Sequence, residues 1–184
     1  MEKLKNHHGL DSLRVFRPAD AEETTLCWKM GMENVETPTA FILSRQGIAN
    51  LPAGNDYSGV EKGAYVVAGS DDNPDIILVA SGSEVSTLEA GAQLLRQDGV
   101  KARIVSCPSE GLFRRQSEAY QQEVLPEGVK KFGLTAGLPV TLEGLVGTGK
   151  DSRIYGLTSF GFSAPFKVLN EKLGYTGENV CKQV

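Results

Sequence analysis

Histidine and cysteine are both scarce in this 184-residue chain, and each shortage removes a class of chemistry. The only two histidines, His7 and His8, are adjacent. Neighbouring side chains diverge on a helix or a turn, and neither has a cysteine or carboxylate at ligand spacing. The pair reads as solvated, not as a metal or proton-transfer site. The three cysteines, Cys27, Cys107 and Cys181, are far apart and odd in number. That spacing excludes a disulfide framework and a thiolate zinc site, and points to a reduced, cytoplasmic chain. No apolar run approaches the length of a transmembrane helix, and the opening MEKLKNHHGL lacks the apolar stretch of a signal peptide. No basic run exceeds two adjacent residues and the formal net charge is −4, so the reading is no nucleic acid and no membrane among the partners. Internal repeats and low-complexity tracts are also missing.

What is present is an ordinary globular composition, 40% hydrophobic and 23% charged, with length for one good core and part of a second. The chain is organised around residues 74–99, PDIILVASGSEVSTLEAGAQLLRQDG. Its apolar run Ile76-Ile77-Leu78-Val79-Ala80 is that of a strand covered on both faces of a parallel sheet. Ser81 with Glu84 three residues later fits a capping box, with Ser83 a rival N-cap. Val85, Leu88, Ala92 and Leu95 then recur on one helical face, and Asp98-Gly99 ends the helix. Residues 101–106 form the next strand. This is a βαβ unit, which makes the chain α/β.

Before that unit, residues 13–16 read as a short strand ended by Arg17-Pro18. Asp20 and Glu23 form a capping pair for a helix reaching about Glu33, with Leu26, Cys27 and Met30 inward. Residues 39–44, TAFILS, read as a second buried strand with Arg45-Gln46 just past it. This opening third is too small for its own core. Residues 47–62 are rich in turn formers and read as a linker. Residues 63–68 form a strand, and the short turn at 69–73 favours an antiparallel neighbour. Downstream come two short helices in 108–126, a strand at 129–134, a proline-initiated helix at 139–146, and a strand at 153–158. A helix follows at 164–173 with Phe166, Leu169 and Leu173 on one side, and the tail holds one further turn. Residues from 63 onward are expected to form an independent core, with residues 1–50 loosely held and proteolysis starting in 47–62.

Three motifs invite chemistry. Residues 144–150, GLVGTGK, match the spacing of a phosphate-binding P-loop, but Asp151 stands where a magnesium-binding Ser or Thr belongs. A helix also precedes the glycines where a strand is needed, so the segment reads as a turn. The Ser81–Glu84 turn offers free N–H groups to an anion, although Glu84 partly occupies that field and plain capping accounts for it. Arg45 lies past the carboxyl end of a parallel strand, where open α/β sheets bind ligands, and arginine suits bidentate phosphate capture. A surface salt bridge is the competing reading for it. Nothing in the sequence brings a nucleophile, a base and an oxyanion site together.

Several segments, in order and with consistent spacing, resemble one family. They are Arg17-Pro18-Ala19-Asp20, Leu43-Ser44-Arg45-Gln46, Val79-Ala80-Ser81-Gly82-Ser83-Glu84-Val85 and Ser106-Cys107-Pro108-Ser109. Val124-Leu125-Pro126, Phe160-Gly161-Phe162-Ser163-Ala164-Pro165 and the ending from Lys172 to Val180 continue the series. Together they resemble the C-terminal part of transketolase. The resemblance implies that residues 1–50 are the end of a pyrimidine-binding domain, 51–62 a linker, and 63–184 the C-terminal domain. It implies a three-layer α/β/α fold with a mostly parallel sheet and one antiparallel strand. For the parent enzyme it implies transfer of two-carbon ketol units between sugar phosphates in the pentose phosphate pathway. Thiamine diphosphate and a divalent cation (Mg or Ca) serve that reaction in a homodimer. The family's GDG motif, catalytic glutamate and substrate histidines match nothing here, and His7 and His8 do not correspond to those histidines. The resemblance therefore implies no catalytic, cofactor or metal residue on this chain, and no activity in isolation. It assigns one substrate-binding residue, Arg45, to the sugar phosphate. One departure stands out: many relatives have Glu-Ala-Gly and an aromatic where this chain has Thr135-Ala136-Gly137 and Leu138. A non-catalytic module, binding an anion or regulatory ligand at the Ser81–Glu84 turn or buttressing a dimer, is the alternative.

Overall fold

A computed structural model describes residues 13–184, so residues 1–6, which read from the sequence as the tail of a helix, and the His7–His8 pair lie outside the described residues. Strand β1 (Arg14–Phe16) stops before Pro18, and Asp20 opens α1 (Ala21–Glu33). The capping pair forms: Asp20 Oδ1 accepts from the Glu23 N–H at 2.9 Å. Glu23 Oε2 accepts from the Ala19 N–H at 2.6 Å, one residue before the cap. Strand β2 (Thr39–Phe41) runs parallel to β1. It is shorter and less buried than residues 39–44 promised. Among the described residues β1 is its only sheet neighbour, so after the Ile42 N–H bonds the Phe16 carbonyl the ladder lapses.

The span read as a linker carries a 3-10 helix (Tyr57–Lys62) with Val60 fully buried. The remaining elements are β3 (Tyr65–Val66), β4 (Ile76–Ala80), α2 (Glu84–Gln97), β5 (Ala102–Ser106), α3 (Glu110–Phe113) and α4 (Glu118–Val124). They continue through β6 (Lys130–Leu134), a 3-10 turn (Pro139–Leu142) leading into α5 (Glu143–Val146), β7 (Ser152–Tyr155), α6 (Phe166–Lys172) and α7 (Gly177–Gln183). The glycines of the P-loop-like stretch thus follow a helix and precede a strand.

The main sheet has the order β3-β5-β4-β6-β7, parallel except for β3. The edge strand is antiparallel, as the short turn implied, but to β5 and not to its sequence neighbour β4. Both edges of β4 are already taken by β5 and β6. Alternation along β4 divides the interior. Ile76, Leu78 and Ala80 join Val85, Leu88, Ala92 and Leu95 of α2 and Val180 of α7 on one face. Ile77 and Val79 join Phe113, Val124, Leu145 and Val146 on the other. The result is three layers.

The opening segment is not loosely attached. Phe16, Ala19 and Cys27 are at most 1% exposed and share one core with Leu78 and Leu88. Helix α6 departs from expectation the other way: no residue of it is buried, and Phe166 is exposed.

Helix α7 is longer than the single turn expected of the tail, because two glycines let it sit close to α2. A Cβ added at Gly91 would lie 2.7 Å from Val180 Cβ, and one at Gly177 would lie 2.9 Å from the Ala90 carbonyl carbon. Replacing Gly91 by valine should therefore destabilise the protein by about 2 kcal/mol through overpacking, despite the better helix propensity. Thermal unfolding checks this, and a Gly91→Val/Val180→Ala double variant should recover part of the loss. An unchanged or raised Tm for the single variant would show that α7 moves aside freely. No helix among the described residues is long and apolar enough to cross a membrane.

Candidate functional site

Arg45 lies in a bend four residues past the end of β2, is exposed, and makes no hydrogen bond or ion pair with any described residue. The neighbouring segment Gln46–Ala49 faces Ser83, Glu84, Ser86 and Thr87 across a small groove of about 90 Å³, closed by Phe166, Asn170 and Tyr175. Two stretches singled out separately in the sequence, Arg45-Gln46 and the Ser81–Glu84 turn, therefore come together. The first is presented by the small β1–β2 sheet, the second by the carboxyl end of β4.

The turn itself is occupied from within. The Arg17 guanidinium reaches it from the end of β1, donates to the Ser81 carbonyl, and donates to the Ser81 hydroxyl at 3.3 Å. It also forms an ion pair with Glu84, whose side chain is only 7% exposed. This explains why the expected capping box is missing. Ser83 holds the N-cap position of α2 without a side-chain capping bond, its hydroxyl instead donating to Glu84 Oε1 at 3.3 Å, and Ser81 and Glu84 are both turned toward Arg17. Arg17 stood in the sequence only as part of a matching tetrapeptide, and nothing local signalled its 64-residue reach.

A second polar cluster is wholly buried. Glu23 is 0% exposed, and its Oε1 accepts from the Ser106 hydroxyl at 2.6 Å and the Tyr65 hydroxyl at 2.8 Å. Burial pushes the Glu23 carboxyl above its usual range, against the opposing pull of the Ser106, Ala19 and Tyr65 donors. Asp20 Oδ2 accepts from the Tyr57 hydroxyl at 2.6 Å and the Leu51 N–H at 3.0 Å. Burial, then the bond to Asp20, raises the Tyr57 phenol to about 12. The cluster ties α1 to β3, β5 and the segment before β3 that carries Leu51 and Tyr57. It is a structural knot.

Residues 63–176 match the family described as the transketolase-like C-terminal domain. This chain belongs to the transketolase family. Transketolase of Staphylococcus aureus (strain MW2) is 37% identical over 187 residues, covering 100% of this chain and 28% of that protein. Among solved structures, transketolase of Pichia stipitis in complex with sedoheptulose 7-phosphate superposes with a TM-score of 0.84 at 32% identity. That similarity covers 93% of this chain and 24% of the yeast one. Transketolase of Leishmania mexicana gives the same TM-score at 35% identity over 98% of this chain and 25% of its own. This transketolase-family chain thus spans roughly a quarter of the length of the relatives it matches. Among its described residues no three His, Cys, Asp or Glu side chains converge as metal ligands.

Proposed function

We propose that this chain is the C-terminal portion of a cytoplasmic, homodimeric transketolase that moves two-carbon ketol units between sugar phosphates, and that it supplies substrate binding, not chemistry. The observation that carries the reading is the similarity to transketolases along the whole chain, 37% in the S. aureus case. In this reading residues 1–50 close the pyrimidine-binding domain, 51–62 connect, and 63–184 form the C-terminal domain. Thiamine diphosphate with a divalent cation supplies the carbanion chemistry of that reaction. The groups that hold them belong to other parts of the parent protein, so no step is routed through this chain's atoms. Arg45 is the residue assigned to the phosphate of the sugar. It is exposed, uncommitted among described residues, and held in a bend beyond β2, which leaves its guanidinium available for two parallel bonds to a phosphate.

The test is a graft. This chain replaces the corresponding C-terminal 28% of the S. aureus transketolase, and ketol transfer from xylulose 5-phosphate to ribose 5-phosphate is measured. Activity within about tenfold of the parent is expected. A graft that unfolds at the parent's temperature and dimerises but transfers nothing would count against the reading. The 184-residue chain alone is expected to give no thiamine diphosphate binding by calorimetry and no turnover. Micromolar binding with turnover would overturn that expectation.

A further inference from the structure

A cavity of about 430 Å³ lies elsewhere, at the carboxyl ends of the main sheet. Ser81 follows β4, Cys107–Ser109 follow β5 and Thr135–Gly137 follow β6, and all line it. The chain leaves β4 toward α2 on one face of the sheet and leaves β5 and β6 toward α3 and α5 on the other. The loops therefore diverge on either side of β4, and open α/β sheets take their ligands in the crevice made by such a divergence. The β1 end closes the top through Val15 and Arg17, and Leu112, Leu142 and Leu145 give an apolar wall.

The polar groups in this wall are few and specific. The lining carries Arg14, Arg17 and Arg115; Arg17 is paired with Glu84, and the one carboxylate in the lining, Glu110, pairs with Arg114 at 2.6 Å. Arg14 Nε is buried and has no hydrogen-bond partner among the described residues, and Ser109, 3% exposed, makes no side-chain capping bond to α3. A buried donor without a partner is uncommon, because it costs free energy that a ligand atom can recover. A cavity of a few hundred Å³ with an apolar wall, a positive side and one unpaired buried donor has the make-up of a small-molecule site.

We propose that this cavity binds a small organic anion with an apolar, ring-sized body, an aromatic carboxylate in the simplest case. The apolar part lies against Leu112, Leu142 and Leu145, and the charged end meets the arginine side of the lining with Ser109 donating to it. The proposal goes beyond ketol transfer and does not involve Arg45. It gives the C-terminal domain a ligand of its own.

Indole-3-acetate, its neutral amide and inorganic phosphate serve as probes, titrated into the 184-residue chain and followed by leucine methyl and backbone amide shifts. Saturable shifts are expected at Leu112, Leu142, Leu145, Ser109 and Thr135, with the carboxylate bound at least about fivefold more tightly than the amide, as one charge-assisted bond provides. Phosphate alone, lacking the apolar body, should bind weakly. Ala136 is an exposed lining residue, so Ala136→Trp should block the cavity without disturbing the core and abolish the shifts. Ser109→Ala should weaken binding several-fold, and Arg45→Ala should leave it unchanged. Non-saturable shifts, shifts gathered at the exposed Phe160 and Phe162, equal affinity for acid and amide, or indifference to Ala136→Trp would each overturn the proposal. So would silence of all probes.

Discussion

Replacing Arg45 by alanine in the complete enzyme is expected to raise KM for phosphorylated sugars by a factor of ~10 to ~100, the value of a charge-assisted bond worth ~1.5 to 3 kcal/mol. The side chain stands beyond the ladder that Ile42 closes by bonding the Phe16 carbonyl, and no described residue competes for its guanidinium. A phosphate sits at the far end of the sugar from the bond being broken, so ground and transition states share the contact. Turnover at saturation should therefore fall much less than kcat/KM. An unphosphorylated donor such as hydroxypyruvate, paired with an unphosphorylated acceptor, should barely register the change. Arg45→Lys should restore only part of the affinity, since an ammonium does not reproduce the two parallel bonds. Equal losses of kcat/KM for hydroxypyruvate and xylulose 5-phosphate would mean that Arg45 shapes the loop and does not touch the phosphate.

The largest effect on stability is expected at Glu23. Glu23→Ala leaves the Ser106 and Tyr65 hydroxyls and the Ala19 N–H facing a void in the core. At about 1–3 kcal/mol for each buried donor left without an acceptor, and with some relief by water, the loss should be about 3 kcal/mol or more. For a chain of this length that is a fall in Tm of roughly 6–12 °C. Glu23→Gln retains a carbonyl acceptor on one side but turns an amide against the Ala19 donor, so its loss should be smaller. The pH dependence has a definite sign. Burial holds the Glu23 carboxyl above its ordinary value of 4.5, so the native state keeps this proton to higher pH than the unfolded chain does. Its contribution to stability is therefore complete below about 4.5 and is lost as pH rises through the raised native value. Stability profiles of wild type and Glu23→Gln should diverge over that interval. Parallel profiles, or a Glu23→Ala loss below 1 kcal/mol, would show that the knot carries little.

Much of this architecture was legible because it rests on local rules. The run 76–80 followed by an apolar stripe at Val85, Leu88, Ala92 and Leu95 reports β4 and α2, since both periods are set by neighbours in the chain. Asp20 and Glu23 were legible as a cap for the same reason. Their second role was not: Tyr65 and Ser106 stand 42 and 83 positions from Glu23, and only the sheet brings them there. Arg17 escaped notice likewise, and with it the failure of the Ser81–Glu84 box. β2 was overestimated because its residues suit a strand, whereas ladder length is decided by the neighbouring strand. α7 was underestimated because close approach through Gly91 and Gly177 leaves no periodic trace. Arg45 was expected past the end of a strand, and it lies exposed in a bend four residues beyond β2. The cavity beside β4 was not legible, because three strand ends and β1 must meet to make it.

The two sheets end differently at their borders. The larger is finished on one side by β3, two residues long and reversed in direction, which offers an incoming chain almost no ladder to extend. The smaller sheet has no such terminator among the described residues: β2 is followed by Leu43, 51% exposed, and preceded by Val35, 91% exposed. The other border of the larger sheet is β7, four residues long, so the β1–β2 flank with its exposed apolar neighbours is the more adhesive of two open edges. Clumping of the chain should be directional, growing through the β1–β2 flank as concentration rises, and a single lysine at Leu43 should suppress it.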